Sequence, residues 1–335
     1  MNTRVTMRDL AREVGMSPMT VSRALRDDKT VSEATRTRIR QVASQLGYVY
    51  DTTAQAFRTQ KSGFVAITLP SINNANFAQT FRALSDGLAG TGNQLLLGST
   101  NYQVGKEEEH VRQLFSRNPE ALVLTGGYHT DNTRQLVAAR GLPVIEMWDL
   151  PAAPLGHAVG FSNAHAMTAV VRHLAETGRR KLAFVGASDG ADMRGAARRQ
   201  GVLETARTLG LPEVALLDAG PAPVSMRHGA GVVAQLGADV AQYDALVCVS
   251  DPVAFGCLSA CQRLGIRVPE DLAITGFGCF EVSEVANPRI TTVNVNAHKI
   301  GEQVVAVLRD ILEQPEELEP RLIDVGSELV PGETS

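Results

Sequence analysis

The chain has 335 residues, of which 44% are hydrophobic, and a formal net charge of −4 at pH 7. This length suits two or three domains, and the near-neutral balance excludes a polycation that coats nucleic acid. Residues 1–61 are nevertheless net positive and the remainder net negative, which fits a basic nucleic-acid reader on an acidic body. The N-terminus lacks the apolar core of a signal peptide and no segment has the length of a membrane span, so we expect a cytoplasmic protein with no membrane partner.

Residues 3–25 predict two short helices joined by a tight turn. Thr6 is placed to cap the first helix, and Gly15 follows its last apolar position and ends it. Ser17 caps the second helix, whose first position is Pro18, where no amide hydrogen bond is lost. The pattern predicts a helix-turn-helix that presents its second helix to the DNA major groove, although helical bundles that bind no DNA share it.

The longer string around this hairpin is more specific. DLAREVGMSPMTVSRAL at residues 9–25, followed by VSEATRTRI and by LGY at 46–48, resembles the DNA-binding headpiece of the lactose-repressor family of bacterial transcription regulators. Arg23 is suited to read guanine edges, and the hydroxyl groups of the second helix are suited to contact phosphates. Together with the resemblance, this predicts DNA contacts by Thr6, Ser17, Pro18, Met19, Thr20, Ser22, Arg23, Ala54 and Phe57.

After the hairpin, Ser32 caps a third helix through Leu46, and residues 51–59 are a candidate for a short polar helix. The resemblance implies that this short helix is a hinge helix in the minor groove, with Phe57 wedged between base steps where many members have leucine. The alternative is that Phe57 packs on the body as a linker anchor.

From Phe64 onward, short apolar strands alternate with amphipathic helices in two successive sets. This alternation predicts an α/β fold of parallel βαβ units in two lobes. The body also resembles the family's periplasmic-binding-protein-like core. The resemblance implies a headpiece at 1–49, a hinge and linker at 50–61, a first lobe at 62–160 and 292–320, and a second lobe at 161–291 and 321–335.

The resemblance further implies an effector cleft between the lobes. Arg198, three residues before Gly201, stands where the family has an arginine that binds ligand oxygens, and Asp251 stands where it has an aspartate that accepts bonds from sugar hydroxyls. Phe77 is placed to cover one ligand face. Arg194 precedes Arg198 by four residues, so both reach one anion if the segment is helical.

Trp148, the only tryptophan, ends an apolar strand at a position that faces the cleft in relatives; the alternative is a core residue. Within the family, EMWDL at 146–150, VGFSN at 159–163 and the segment from Ser250 look like gluconate-operon repressors. A sugar acid needs partners for a carboxylate and for hydroxyls, and Arg194, Arg198 and Asp251 provide both kinds. Gluconate is therefore the expected effector, with 2-ketogluconate or another sugar as the alternative.

Two other classes of protein compete with this interpretation. Residues 186–190 satisfy the GxSxG pattern of serine hydrolases, with Ser188 as nucleophile and His228 or His298 as the later histidine. A sugar-binding protein without regulatory function would share the body but not the headpiece. The four cysteines lie in apolar or glycine-rich surroundings without a CxxC pair, which favours core thiols, and we expect neither a metal nor a cofactor.

We therefore expect a homodimeric repressor, not an enzyme, that binds palindromic double-stranded operator DNA and releases it when a sugar acid closes the core. A dimer is expected because one headpiece reads only one half-site. The sequence leaves open whether the ligand induces release or acts as a corepressor.

Overall fold

The computed structural model describes residues 5–26, 28–50, 62–188, 190–313 and 319–335. The chain divides into two compact units, Met1–Ser62 and Gly63–Ser335. The predicted fold class, a helix-turn-helix headpiece followed by an α/β body of parallel sheets, is confirmed. Ala54 and Phe57, which were predicted to contact the minor groove, lie outside the described residues.

The headpiece contains helices α1 (Met7–Val14), α2 (Pro18–Leu25) and α3 (Glu33–Gln45). Their ends follow from local chemistry. Thr6 and Asp9 form a capping box at the start of α1, and Gly15 closes that helix with a left-handed backbone at φ 69°. The small core consists of one apolar face from each helix and the turn before α3, namely Leu10, Ala11, Val14, Val21, Ala24, Val31, Ile39 and Ala43.

The body begins with alternating strands and helices: β1 (Phe64–Leu69), α4 (Ala75–Leu88), β2 (Gln94–Ser99), α5 (Val104–Phe115), β3 (Ala121–Thr125), α6 (Asp131–Arg140), β4 (Val144–Met147) and β5 (His157–Gly160). The alternation continues with α7 (Asn163–Glu176), β6 (Leu182–Gly186), α8 (Met193–Thr208), β7 (Ala215–Asp218), α9 (Met226–Leu236), a 3-10 turn (Gly237–Gln242), β8 (Ala245–Cys248), α10 (Asp251–Leu264) and β9 (Ala273–Thr275). The last elements are α11 (Glu281–Val285), β10 (Thr292–Asn294), α12 (Ala297–Glu313), β11 (Leu322–Asp324) and β12 (Glu328–Val330).

Two parallel sheets organise the body. The first-lobe sheet has the order β11-β5-β4-β3-β1-β2, and the second-lobe sheet has the order β7-β6-β8-β9. Strands β3 and β6 are buried along their whole length, which explains why their sequences are continuous apolar runs. Strand order reverses beside β1 and β6, and ligands bind at the carboxyl ends of strands near such reversals. The fold therefore places a ligand region where β1, β3, β4 and β6 end.

The lobe boundaries near the C-terminus differ from the prediction. Leu322–Asp324, assigned by sequence to the second lobe, pair in parallel with β5 in the first-lobe sheet. Thr292–Asn294, assigned to the first lobe, instead pair antiparallel with β12, and the preceding Thr291 bridges to Thr275 of β9. Each strand is only three residues long, so its hydrophobic pattern does not indicate which sheet it joins.

The free cysteines occupy the interior of the second lobe or its edge. Cys248, Cys257 and Cys261 are buried, and the Sγ atoms of Cys248 and Cys257 lie 3.8 Å apart. Across the described ranges, no group of three or more His, Cys, Asp or Glu side chains is arranged to hold a metal ion. In the same ranges, no helix is both long enough and apolar enough to cross a bilayer.

Candidate DNA-binding surface and ligand cavity

Helix α2 presents a mixed polar and apolar surface in the headpiece. Ser17, Pro18 and Arg23 are exposed, and 62% of the surface of Met19 is accessible. The Ser17 hydroxyl caps the helix by accepting from the backbone N–H of Thr20 at 3.2 Å. An exposed arginine and an exposed methionine on one short helix suit polar and apolar contacts to base edges in a major groove.

Two of the residues predicted to contact DNA already have partners within the headpiece. The Thr6 hydroxyl bonds to Asp9 Oδ2 at 2.6 Å, and Thr6 accepts from the Asp9 backbone N–H at 3.3 Å. Ser22 is half-buried, and its hydroxyl lies 3.4 Å from that of Tyr50. Thr6 and Ser22 therefore shape the headpiece as well as lying on the predicted DNA surface.

A cavity of about 560 Å³ lies in the body. Phe77, Trp148, Arg194 and Arg198, four of the five predicted effector residues, line it. Its other lining residues include some that sequence reasoning did not select, among them Asn76, Tyr102, Asp192, Arg227 and Phe277. The charged side chains of the described wall are three arginines and one aspartate, so the cavity has a positive character suited to an anion.

Trp148 has a strained backbone and a buried, unpaired polar atom. Its φ of 71° is in the left-handed region, which bulky residues rarely adopt. The backbone on both sides is fixed, since its N–H donates to Val159 O at 3.0 Å and its carbonyl accepts from Asn163 Nδ2 at 3.1 Å. The indole packs edge-on against Phe77, with ring centroids 5.1 Å apart. The ring is 5% exposed, and its Nε1 has no hydrogen-bond partner among the described residues. Backbone strain of this kind clusters at ligand sites.

Arg194 is a buried cation held mainly by aromatic rings. It is 8% exposed, and its guanidinium carbon lies 5.3 Å from the Phe77 ring centroid and 6.0 Å from that of Tyr102. One nitrogen donates to Thr125 O at a long 3.4 Å. Within residues 62–188, 190–313 and 319–335 it forms no ion pair, although its charge lowers the pKa of Asp149, which burial raises. Gly126, at φ 93°, permits this approach, because a Cβ there would lie 3.0 Å from Arg194 Nη1.

Arg198 lies one helical turn after Arg194 and is more strongly tethered. Its Nη1 donates to Asn163 Oδ1 at 2.8 Å, and its Nη2 lies 3.5 Å from Asp192 Oδ2. The guanidinium stacks 4.5 Å from the Phe277 ring centroid, while Nε has no partner among the described residues. Burial lowers the pKa of Arg198, and the charge of Asp192 opposes that shift. The prediction that both arginines reach one anion depends on a helical segment, and α8 is helical through both.

Asp251 does not fulfil the prediction that it binds ligand hydroxyls. Its carboxylate is fully buried and does not line the cavity. One oxygen accepts from the Thr292 hydroxyl at 2.5 Å, and the other accepts from the backbone N–H of Phe280 at 2.7 Å. Burial raises the pKa of Asp251 to about 6, against the opposing effect of these bonds. The Asp251 carboxylate thus connects α10 to Phe280 and to Thr292 of β10.

Nothing in the sequence pattern indicates that Tyr102 lines the cavity. Asn101 and Tyr102 both have positive φ angles, 50° and 61°, which turn the chain after β2. Tyr102 lies against Arg194, and burial raises the pKa of its hydroxyl. Consecutive left-handed non-glycine residues are not readable from residue types, although asparagine tolerates this conformation better than most.

The arrangement around Ser188 does not support a hydrolase. Ser188 is exposed and bonds to Asp218, whose pKa is lowered first by the Gly220 backbone N–H and then by the Ser188 hydroxyl. The ring of His228 instead accepts from the backbone N–H of Ser225 at 3.0 Å. His298 pairs with Glu302 on an exposed helix face. In the described part of the chain, Ser188 therefore has no histidine base.

Comparison with known proteins decides the class. Residues 6–51 match "Bacterial regulatory proteins, lacI family", and residues 171–335 match "Periplasmic binding protein-like domain". The HTH-type transcriptional regulator GntR of Pseudomonas aeruginosa is 32% identical over 332 residues, covering 99% of this chain and 96% of that protein. The chain belongs to the lacI family. It is a DNA-binding transcriptional repressor, not an enzyme, and the predicted family is confirmed.

Two further relatives also match nearly the whole chain. The HTH-type transcriptional regulator GntR of Escherichia coli K12 is 31% identical and covers 98% of both chains. The crystal structure of a lacI-family transcriptional regulator from Silicibacter pomeroyi is 27% identical, covers 98% of this chain and 99% of that one, and has a TM-score of 0.91. This lacI-family repressor thus shares its headpiece and body with proteins of the same class.

Proposed function

We propose that this lacI-family repressor controls genes of sugar-acid use, and that a sugar acid bound in the cavity releases it from operator DNA. The observation that carries the proposal is Arg194, a buried guanidinium on the cavity wall that forms no ion pair among the described residues. Its charge lowers the pKa of Asp149, but no hydrogen bond joins the two side chains in the described part of the chain. A ligand carboxylate in the cavity can contact the guanidinium directly and accept charge-assisted hydrogen bonds.

The other cavity residues fit the remainder of a sugar acid. Arg198 offers donors for hydroxyl groups, and the unpaired Nε1 of Trp148 offers one more donor. Phe77, Trp148 and Phe277 provide apolar ring faces for the carbon chain. A cavity with apolar walls and a few fixed polar groups is typical of small-molecule sites. Gluconate is the effector we propose first, because two relatives above 30% identity carry the name GntR, which agrees with the sequence motifs.

For DNA, we propose that α2 reads each half-site in the major groove. Arg23 and Met19 are the proposed base contacts, and Ser17 and Thr20 the proposed phosphate contacts, with Pro18, Ser22 and Thr6 flanking them. Ala54 and Phe57 remain proposed minor-groove contacts. Because one headpiece covers only one half of a palindrome, we propose a homodimer in the cytoplasm.

Release requires that the effector bind one arrangement of the body better than another. In the proposed mechanism, a sugar acid between the lobes favours an arrangement in which the paired headpieces no longer fit both half-sites. The alternatives are a different effector, 2-ketogluconate or another sugar, and a ligand that strengthens DNA binding as a corepressor.

Fluorescence anisotropy of a labelled, centrally symmetric duplex from the region upstream of the protein's own gene tests the proposal at fixed salt. We expect gluconate to release the DNA, with glucose as a control that has the hydroxyls but no carboxylate. Tighter binding with gluconate would establish a corepressor. Specific DNA binding that responds to neither compound would refute the sugar-acid effector, and release by glucose would refute the role given to the carboxylate.

A further inference from the structure

A buried ionic cluster lies in the first lobe beside the cavity. His129 is held between two glutamates, with Nδ1 2.6 Å from Glu107 Oε1 and Nε2 3.1 Å from Glu146 Oε1. The side chains of His129 and Glu146 are fully buried, and that of Glu107 is 7% exposed. We refer to His129, Glu107 and Glu146 as the Glu–His–Glu cluster.

The geometry suits a charged imidazole. An ionised carboxylate only accepts hydrogen bonds, so an imidazole that bonds to an ionised carboxylate at each nitrogen carries a proton on both. Burial by itself lowers the pKa of His129, but the hydrogen bonds to Glu107 and Glu146 and the charges of both raise it to about 9. Both the geometry and the raised pKa favour the imidazolium form at neutral pH.

The cluster joins three segments that end at the cavity. Glu107 lies in the first turn of α5, directly after the turn that carries Tyr102. His129 follows β3 and Gly126, against which Arg194 packs. Glu146 lies on β4, two residues before Trp148 in the sequence. Its second carboxylate oxygen accepts from the backbone N–H of Leu155 at 2.6 Å. One protonated side chain thus connects the backbones that position Tyr102, Gly126 and Trp148.

We propose that protonated His129 is a positioning residue, which holds the first-lobe wall of the cavity in its ligand-binding arrangement and makes ligand affinity depend on pH. For the identity of the ligand, this inference rests on the proposed function. A neutral imidazole has a single N–H. When the imidazolium of His129 loses a proton, one of the two buried glutamates therefore faces a nitrogen lone pair. Two ionised carboxylates then repel each other with less compensation, and the segments that they anchor separate.

The remaining charged groups near His129 lie outside this contact. Glu108, on the same helix as Glu107, accepts from Thr130 and Asn132. Arg134 of α6 donates to Gly127 O, and Asp149 accepts from the Gly127 backbone N–H. Arg194 lies beyond Gly126. None of these groups bonds to the imidazole, so the two glutamates of the cluster govern its protonation.

The first test needs no ligand and uses the emission of Trp148 in the full-length protein between pH 6 and 10. Trp148 is the only tryptophan and is 5% exposed, so displacement of the wall shifts its emission to the red. We expect a midpoint near 9 in the wild type. Glu107→Gln and Glu146→Gln each remove a negative charge, so both variants should lower that midpoint. A wild-type midpoint that neither variant moves would overturn the proposal.

A matched control is available in another histidine–glutamate pair. His298 lies 3.4 Å from Glu302 on α12, with side chains that are 60% and 59% exposed. His298→Gln makes the same substitution as His129→Gln and should leave the Trp148 midpoint unchanged. A midpoint that disappears in His298→Gln but persists in His129→Gln contradicts the assignment to the buried cluster.

The second test measures gluconate affinity by calorimetry. We expect the wild type to lose about ten-fold in affinity between pH 7 and pH 10, and His129→Gln to be about ten-fold weaker already at pH 7, with no further step. Circular dichroism identifies a variant that has lost its fold, and the two glutamate variants then supply the comparison. Equal affinity in the wild type and folded His129→Gln refutes the positioning role. If the wild type binds no gluconate, the proposed function fails and the Trp148 midpoint alone decides the role of His129.

Discussion

Replacing Arg194 by methionine separates a ligand-binding arginine from a structural one. Methionine preserves most of the volume and removes the charge. In the ligand-free protein the change loses two cation–π contacts, about 1–2 kcal/mol together, and one long hydrogen bond to Thr125, about 0.5 kcal/mol. It also removes the cost of burying a guanidinium that forms no ion pair among the described residues, which is several kcal/mol before the attraction of Asp149 is counted. We therefore expect a free energy of unfolding within about 1 kcal/mol of the wild type, or higher.

Ligand binding should respond very differently. A charge-assisted hydrogen bond is worth about 1.5–3 kcal/mol, so the loss of the Arg194 contact should raise the Kd for gluconate by about 10- to 150-fold. Calorimetric titration with gluconate and denaturant unfolding measure the two quantities on the same preparation. Arg207→Met, an exposed position on the same helix, is the matched control and should change neither. Wild-type affinity in Arg194→Met, or a loss of 3–5 kcal/mol in stability, would refute the reasoning.

Three further substitutions test other assignments. Arg23→Ala should cost about 1–3 kcal/mol of operator affinity if Arg23 reads a base, whereas an equal loss on all DNA sequences, measured by anisotropy, would make it a phosphate contact. Arg198→Ala should leave DNA binding intact and abolish the gluconate response, and a retained response contradicts its place in the site. Asp251→Asn should lower the free energy of unfolding by about 1–3 kcal/mol, because one buried donor loses its acceptor, while gluconate affinity stays unchanged. Lost affinity at unchanged stability would restore Asp251 as a ligand residue.

The pH dependence of stability follows from His129. Its pKa in the folded protein is raised to about 9 from the usual 6.5, so protonation of His129 stabilises the folded state relative to the unfolded state. This contribution is complete below about pH 6.5 and is lost as the pH rises through about 9. The contribution of Asp251 to stability also falls as the pH rises, but at lower pH. Burial raises the pKa of Asp251 to about 6, so this contribution declines between about pH 4 and pH 6.

Features encoded by neighbouring residues were predictable from the sequence. The caps at Thr6, Gly15 and Ser17 are local, and the structure has them at the predicted positions. The strands of the body were equally readable, because a parallel strand buried on both faces is a continuous apolar run. Helical spacing also predicted that Arg194 and Arg198 reach one anion if their segment is helical, and in the structure both lie on α8 and line the cavity.

Features that depend on distant residues were not predictable in the same way. Asp251 has the residue type of a hydroxyl ligand, but its partner Thr292 lies 41 positions away and draws the carboxylate into the interior. The partners of His129 lie 22 and 17 positions from it, so no spacing rule indicates the cluster. The left-handed backbone of Trp148 is likewise imposed by its neighbours in the fold, and its residue type argues against it.

The placement of β11 and α12 bears on the order in which the protein acquires its structure during synthesis. Helix α12 packs against α4, and β11 adds the edge strand beside β5, so the first lobe draws on residues 297–313 and 322–324 as well as on residues 64–160. The second lobe likewise recruits Thr334, whose carbonyl accepts from the backbone N–H of Ile274. A ribosome releases the second lobe's central strands before it releases the helix that covers the first lobe. Neither lobe is therefore complete while the chain is still growing, and a half-made repressor cannot present a finished ligand cavity.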